Sequence, residues 1–306
     1  MVIINYLLVC LIFGTTFLAI KVGIEAGAPP FLSAGIRFFA AGAIMILVFK
    51  IRKHRIKSLL FSKSLMFNGF CLTFMTFATL YWAEQYIPSG LAAVLSATGP
   101  MMVLFLQARQ QKTGFKIEQL LGLITALLGV ILISSPGFSA SISIIWVFAC
   151  FLIIFGGWFY SLGTIRAKDF TNKNPNISPF LTNAIQMLYG GLFLLILSLM
   201  TEQLWSKDFH FNGEVLFSLI YLIIVGSIGG HGLYYWLVSK TNPVFPSTWL
   251  YVSPLVAILV GYIWLDEVVT PIMMIGALLI LFGVFLTNRA ILMEHWKKGR
   301  LFKRIA

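Results

Sequence analysis

The sequence predicts an all-α membrane protein of ten transmembrane helices, arranged as two inverted repeats of five. Three observations predict it. Apolar stretches of membrane-spanning length recur along the whole chain, basic residues collect in alternate connections, and the two halves align with each other.

Of the 306 residues, 59% are hydrophobic and 10% charged, and the mean hydropathy is +0.93. Soluble domains carry about 45–50% apolar and about 25% charged residues. A helix crosses the hydrocarbon core with about 20 apolar residues. The predicted spans are 3–24, 30–49, 65–86, 89–108 and 118–135, then 144–165, 179–200, 215–238, 245–264 and 271–290. Little chain is left for a soluble domain. The first stretch reads as a transmembrane helix rather than a cleaved leader. It has no basic n-region and carries Lys21 in its last turn, and Pro29 spoils the small-residue run Ala26-Gly27-Ala28 as a cleavage site.

Charge tests the span count. With the N-terminus in the cytoplasm, the connection after span 2 holds Lys50, Arg52, Lys53, Arg55, Lys57 and Lys63. Span 4 is followed by Arg109, Lys112 and Lys116, span 6 by Arg166, Lys168 and Lys173, and span 8 by Lys240. Arg289, Lys297, Lys298, Arg300, Lys303 and Arg304 follow span 10. The opposite side holds only Lys207, while Lys21 and Arg37 lie within spans. This bias places both termini in the cytoplasm of a multi-pass protein of the cytoplasmic membrane. The net charge of +12 is therefore topological, and no continuous basic face points to nucleic acid. Cys10, Cys71 and Cys150 lie in apolar spans without metal-ligand or CxxC spacing and read as small buried hydrophobes, so no metal or other cofactor is expected.

The halves align at an offset of 154: Tyr81-Trp82 falls on Tyr235-Trp236, Pro100 on Pro254, Gly122 on Gly276 and Gly129 on Gly283. Earlier in each half the offset shrinks. At 149, Pro30-Phe31 meets Pro179-Phe180 and Gly42 meets Gly191; at 142, Phe13-Gly14 meets Phe155-Gly156. The predicted repeats are 1–136 and 137–306, the second ending in a basic tail from about 290. Five spans is an odd number, so the second half enters from the opposite face. Inverted repeats of this kind mark secondary transporters, which bind substrate near the midplane between the repeats.

Several runs carry a family resemblance. They are Gly14-Thr15-Thr16-Phe17 with Lys21, Arg37-Phe38, Ser89-Gly90-Leu91-Ala92-Ala93 leading to Pro100, and Leu265-Asp266-Glu267 followed by Gly276 and Gly283. Together the chain resembles the EamA-type branch of the drug/metabolite transporter superfamily along nearly its whole length. The resemblance implies ten helices in two repeats and export of amino acids or other small metabolites, coupled to protons or to exchange. One position departs from symmetry: Glu267 maps to Thr113 in the first half.

Charges and polar groups inside spans are the functional candidates, because burying them is costly unless they are paired or wet. Lys21 and Glu84 lie near the outer ends of their spans. They either snorkel to the interface or form an outer-gate ion pair, with Glu84 sensitive to protons. Arg37 lies about two turns in and maps to the uncharged Gln186; facing an aqueous cavity, it would hold a substrate carboxylate. Trp82 and Trp236 fall near opposite faces and read as belt anchors. Thr16, Thr76, Asn183, Gln186, His231 and Ser253 are the mid-depth polar contacts, with aromatic walls from Trp158 and Tyr160. His231 is either a packed neutral residue or a titrating one. Pro100 and Pro254 each remove a backbone hydrogen bond at mid-span and are the hinge candidates.

No HExxH, GxSxG, P-loop or midplane aspartate pair is present, so neither an intramembrane enzyme nor an ATP-driven pump is expected. The expected partners are the lipid bilayer and a small-molecule substrate.

Overall fold

A computed structural model describes residues 1–52, 56–112, 114, 116–134, 143–202, 212–264 and 270–305; side chains at 89, 90, 257, 258, 260–264 and 294–305 are excluded. Every regular element among the described residues is helical. In chain order these are α1 (Val2–Glu25), α2 (Pro30–Ile51) and the short α3 (Lys57–Leu60). Next come α4 (Lys63–Ala83), α5 (Leu91–Gln111), α6 (Ile117–Ser134), α7 (Ile144–Lys173) and α8 (Pro179–Thr201). The remainder are α9 (Gly213–Lys240), α10 (Val244–Ser247), α11 (Trp249–Trp264) and α12 (Pro271–Ile305).

Eight of these helices are long and apolar enough to cross a membrane: α1, α2, α4, α5, α7, α8, α9 and the first part of α12. The expected fifth span falls on α6, whose apolar stretch Ile117–Ile133 is shorter. The expected ninth is divided between α10 and α11 at Thr248. The Leu265-Asp266-Glu267 run, Thr113, Lys53, Arg55 and Lys207 lie outside the described residues.

The exterior is unlike a soluble protein's. Leu7, Leu11, Leu18, Leu47, Phe151, Leu199, Phe217 and Leu278 are exposed, while Arg37, Asn68, Thr73, Glu84, Asn183, Gln186 and Ser227 are buried. An apolar exterior, with polar groups kept inside an otherwise apolar core, is what lipid selects. Helix association in lipid depends on close packing, which small residues permit. The two most extensive pairings, α2 with α8 and α6 with α12, are built this way. A Cβ on Gly42 would stand 2.6 Å from the Leu188 nitrogen, and one on Gly191 2.3 Å from the Phe39 nitrogen. In the second pair, a Cβ on Gly122 would meet the Gly283 carbonyl at 2.7 Å, and one on Gly129 the Gly276 carbonyl at 2.5 Å. In the alignment of the halves Gly122 corresponds to Gly276 and Gly129 to Gly283, so each glycine faces the other's counterpart.

Two helices widen into π turns, α4 over Phe70–Met75 and α9 over Leu222–His231. At the offset of 154 the first maps inside the second. Such widenings cluster at functional sites, and these two flank buried polar groups. Thr73 donates to Gln186 Oε1 at 2.7 Å, and Arg37 Nε donates to Ser227 at 2.9 Å.

The start of α2 has no side-chain cap of its own, since Pro29 precedes it. Glu202, just past the end of α8, supplies one: its carboxylate accepts from the Phe31 N–H at 2.6 Å and the Leu32 N–H at 2.9 Å. Orphan N–H groups at a helix start favour such an anion. The contact fixes the end of α8 to the beginning of α2.

Candidate functional site: a central cavity with one buried cation

Helices α1, α2, α4, α5, α7, α9 and α11 surround a cavity. Its wall combines aromatic rings with aliphatic side chains and hydroxyls. Phe13 packs on Trp249 with ring centroids 4.5 Å apart, and His231 stands among Phe13, Phe38 and Phe77 at 4.9, 5.5 and 5.6 Å. On the α7 side the hydroxyls are chained. Tyr160 donates to Tyr234 at 2.8 Å, Thr164 lies 2.9 Å from the same Tyr234 hydroxyl, and the Trp249 indole N–H donates to Tyr160 at 3.2 Å. Buried phenol and indole groups need such partners, and the chain orients three rings at once.

Arg37 is the charged residue in the wall. It is 1% exposed. Its Nε–H goes to Ser227, its Nη1 donates to Tyr81 at 3.2 Å, and its guanidinium carbon sits 4.6 Å from the Phe38 ring centroid and 5.2 Å from that of Phe77. Both bonded partners are neutral. Among the described residues the ion pair lies elsewhere, between Lys21 and Glu25 at 3.6 Å.

The structure brings five of the predicted contacts to the cavity: Thr16, Arg37, Thr76, Tyr160 and His231. The threonine hydroxyls are turned to their own helices, Thr16 to the Phe13 carbonyl at 2.8 Å and Thr76 to the Cys71 carbonyl at 3.0 Å. Asn183 and Gln186 are fully buried outside the wall, joined to each other at 3.0 Å and to Thr73. Trp158, expected as an aromatic wall, is 46% exposed and faces outward from α7, because it lies two residues from Tyr160 and so on the other side of the helix. Ser253 is buried next to Pro254, and its hydroxyl donates to the Leu250 carbonyl at 3.2 Å. That carbonyl is the one Pro254 cannot serve, having no N–H.

The two prolines have different settings. Pro100 lies in the first turn of the helical segment Gly99–Gln111, just after α5 is interrupted at Ala97-Thr98. Pro254 lies inside the continuous helix α11. Lys21 and Glu84 also meet, though not by their charges. The Lys21 ammonium donates to the Glu84 backbone carbonyl at 3.2 Å, while both Glu84 carboxylate oxygens are buried without a hydrogen-bond partner.

Sequence reasoning missed Phe13, Phe77, Tyr234 and Trp249 as wall residues, and Ser227 and Tyr81 as partners of Arg37. A signal existed for some. Tyr234 lies three residues from His231, and Phe77 and Tyr81 are four apart, spacings that share a helix face.

A polytopic helical protein with an aromatic cavity inside its bundle is the architecture of a membrane carrier. Comparison with known proteins identifies which one: residues 1–135 and 146–289 match the EamA-like transporter family. The chain belongs to that family, in keeping with its drug/metabolite transporter resemblance, and is a multi-pass membrane protein. It is 28% identical over 281 residues to a protein named uncharacterized inner membrane transporter YedA of Escherichia coli (strain K12), covering 91% of this chain and 87% of that one. It is 24% identical to uncharacterized transporter YoaV of Bacillus subtilis (strain 168), over 92% and 94% of the two chains. Protein PagO of Salmonella typhimurium is 28% identical over 92% and 91%. A solved crystal structure shares the fold with a TM-score of 0.77 at 14% identity, covering 94% of this chain and 97% of the other.

Proposed function

We propose that this protein is a secondary transporter that exports small amphipathic metabolites, amino acids or related compounds, across the cytoplasmic membrane by alternating access. The cavity carries this reading. Its walls come from both halves of the chain, α1, α2, α4 and α5 from the first and α7, α9 and α11 from the second. Binding sites of secondary carriers lie where two repeats meet. The crossed glycine contacts and the paired π turns support an inverted repeat, and the basic connections support cytoplasmic termini. Pro100 and Pro254 serve as flexure points, and coupling runs through protons or substrate exchange.

Counterflow in proteoliposomes tests the proposal. Vesicles preloaded with unlabelled substrate should accumulate labelled substrate transiently and saturably. Flux without saturation would instead indicate a channel, and flux equal to that of protein-free vesicles would end the transport reading.

A further inference from the structure

The charge inventory of the cavity is lopsided. Arg37 brings a full positive charge to the wall, yet its hydrogen bonds go only to Ser227 and Tyr81, both neutral. Among the described residues no carboxylate pairs with it. The guanidinium carries five N–H donors in a planar fork that fits a carboxylate, and two are engaged. Among the described residues no Asp or Glu lines the cavity; Glu84, after the end of α4, is buried near enough to Arg37 for their charges to interact but makes no hydrogen bond to it. The rest of the wall is made of rings, hydroxyls, aliphatic side chains and two glycines.

A buried cation without a hydrogen-bonded counter-ion is costly, and a ligand that supplies such an anion recovers part of that cost. An ammonium group meets the opposite situation. It would find no anionic partner in the wall, and Arg37 would repel it. The faces of Phe13, Phe77 and Trp249 attract cations in isolation, but Arg37 already lies over Phe77 at 5.2 Å.

Resting on the transport reading above, we propose that the substrate is a small monocarboxylate with an apolar, ring-sized body, preferred over the corresponding amino acid and amine. Its carboxylate docks on the free donors of Arg37. Its body lies among Phe13, Phe77, Tyr160 and Trp249.

The test uses the full-length protein purified in detergent and four probes sharing one ring: 3-phenylpropionate, its neutral amide, phenylalanine and phenethylamine. Titration calorimetry should show saturable binding of 3-phenylpropionate at least tenfold tighter than of the amide or phenylalanine, and none of phenethylamine. Arg37→Gln, checked for folding by gel filtration, should weaken the acid at least tenfold and bring it level with the amide, and Arg37→Lys should recover part of the loss. Comparable binding of the acid and its amide in the wild type overturns the proposal whether or not any variant folds. Tighter binding of the amine or of phenylalanine overturns it too, as does failure of all four to bind. The same probes in counterflow separate the two readings: acid-selective binding without counterflow removes transport and leaves the ligand assignment standing, while counterflow selective for phenylalanine or the amine does the reverse.

Discussion

Arg37 in α2 donates its Nε–H to the hydroxyl of Ser227 in the π turn of α9, at 2.9 Å. The corresponding residues of the other half, Gln186 in α8 and Thr73 in the π turn of α4, make the same contact with donor and acceptor exchanged, at 2.7 Å. One pair carries a charge and the other does not, which gives a prediction. Ser227→Ala leaves a charged donor buried and unserved, at a cost of about 1–3 kcal/mol. Thr73→Val leaves a neutral amide oxygen and costs less. Thermal unfolding in detergent should show the larger drop in Tm for Ser227→Ala; equal drops would mean the charge is served in another way.

The seam between α6 and α12 predicts a sharp contrast between glycines. In Gly129→Ala the new methyl would fall 2.5 Å from the Gly276 carbonyl, so the helices must separate. Overpacking of this kind costs about 1–3 kcal/mol. Gly213, at the start of α9, has open space around it. There Gly213→Ala should be neutral or slightly stabilising, since alanine loses less freedom on folding. Protease resistance of the two variants in the same lipid compares them directly.

Glu202 is expected to matter for stability although it is not among the residues lining the cavity. Glu202→Ala removes the acceptor for the Phe31 and Leu32 N–H groups and should cost about 0.5–2 kcal/mol, the range for a lost helix cap. Glu202→Gln retains one oxygen and should lose less. Hydrogen exchange at the first turn of α2 reports this locally.

Two tryptophans separate the wall from the exterior. Trp249 packs on Phe13 and bonds Tyr160, so Trp249→Ala should lower the saturable counterflow rate by roughly tenfold, equivalent to about 1.4 kcal/mol. Trp158→Ala removes an outward-facing ring and should leave the rate within about twofold, as surface changes usually cost under about 0.5 kcal/mol. A collapse of transport in Trp158→Ala that is not matched by lost membrane insertion would contradict the assignment of that face.

What the sequence revealed about this fold follows from what lipid demands. Of the ten spans expected from length and apolarity, eight fall on long apolar helices, because a spanning segment must satisfy its backbone internally. The expected span 118–135 falls on α6, whereas the break at Thr248 was not visible, since hydropathy averages over a window wider than that feature. Arg37, His231, Thr16 and Thr76 stood out as polar groups in apolar surroundings and Tyr160 as an aromatic wall, and all five line the cavity. Trp158 did not, because depth along a helix says nothing about which side a residue takes. Glu202 was not legible as a cap at all: its partners lie about 170 positions away, and only the packing of α8 on α2 brings them together.

The Arg37 cation in the cavity wall has an electrical consequence. Moving one elementary charge through a membrane potential is worth about 2.3 kcal/mol per 100 mV. With Arg37 facing an empty cavity, that wall is positive, and any rearrangement that carries it through the field is driven or opposed by voltage. With a monoanion seated, the same wall is neutral and the field has little hold on it. Voltage would then act on the return of the empty carrier rather than on the loaded step, and the sign of the membrane potential would set the pace of the cycle.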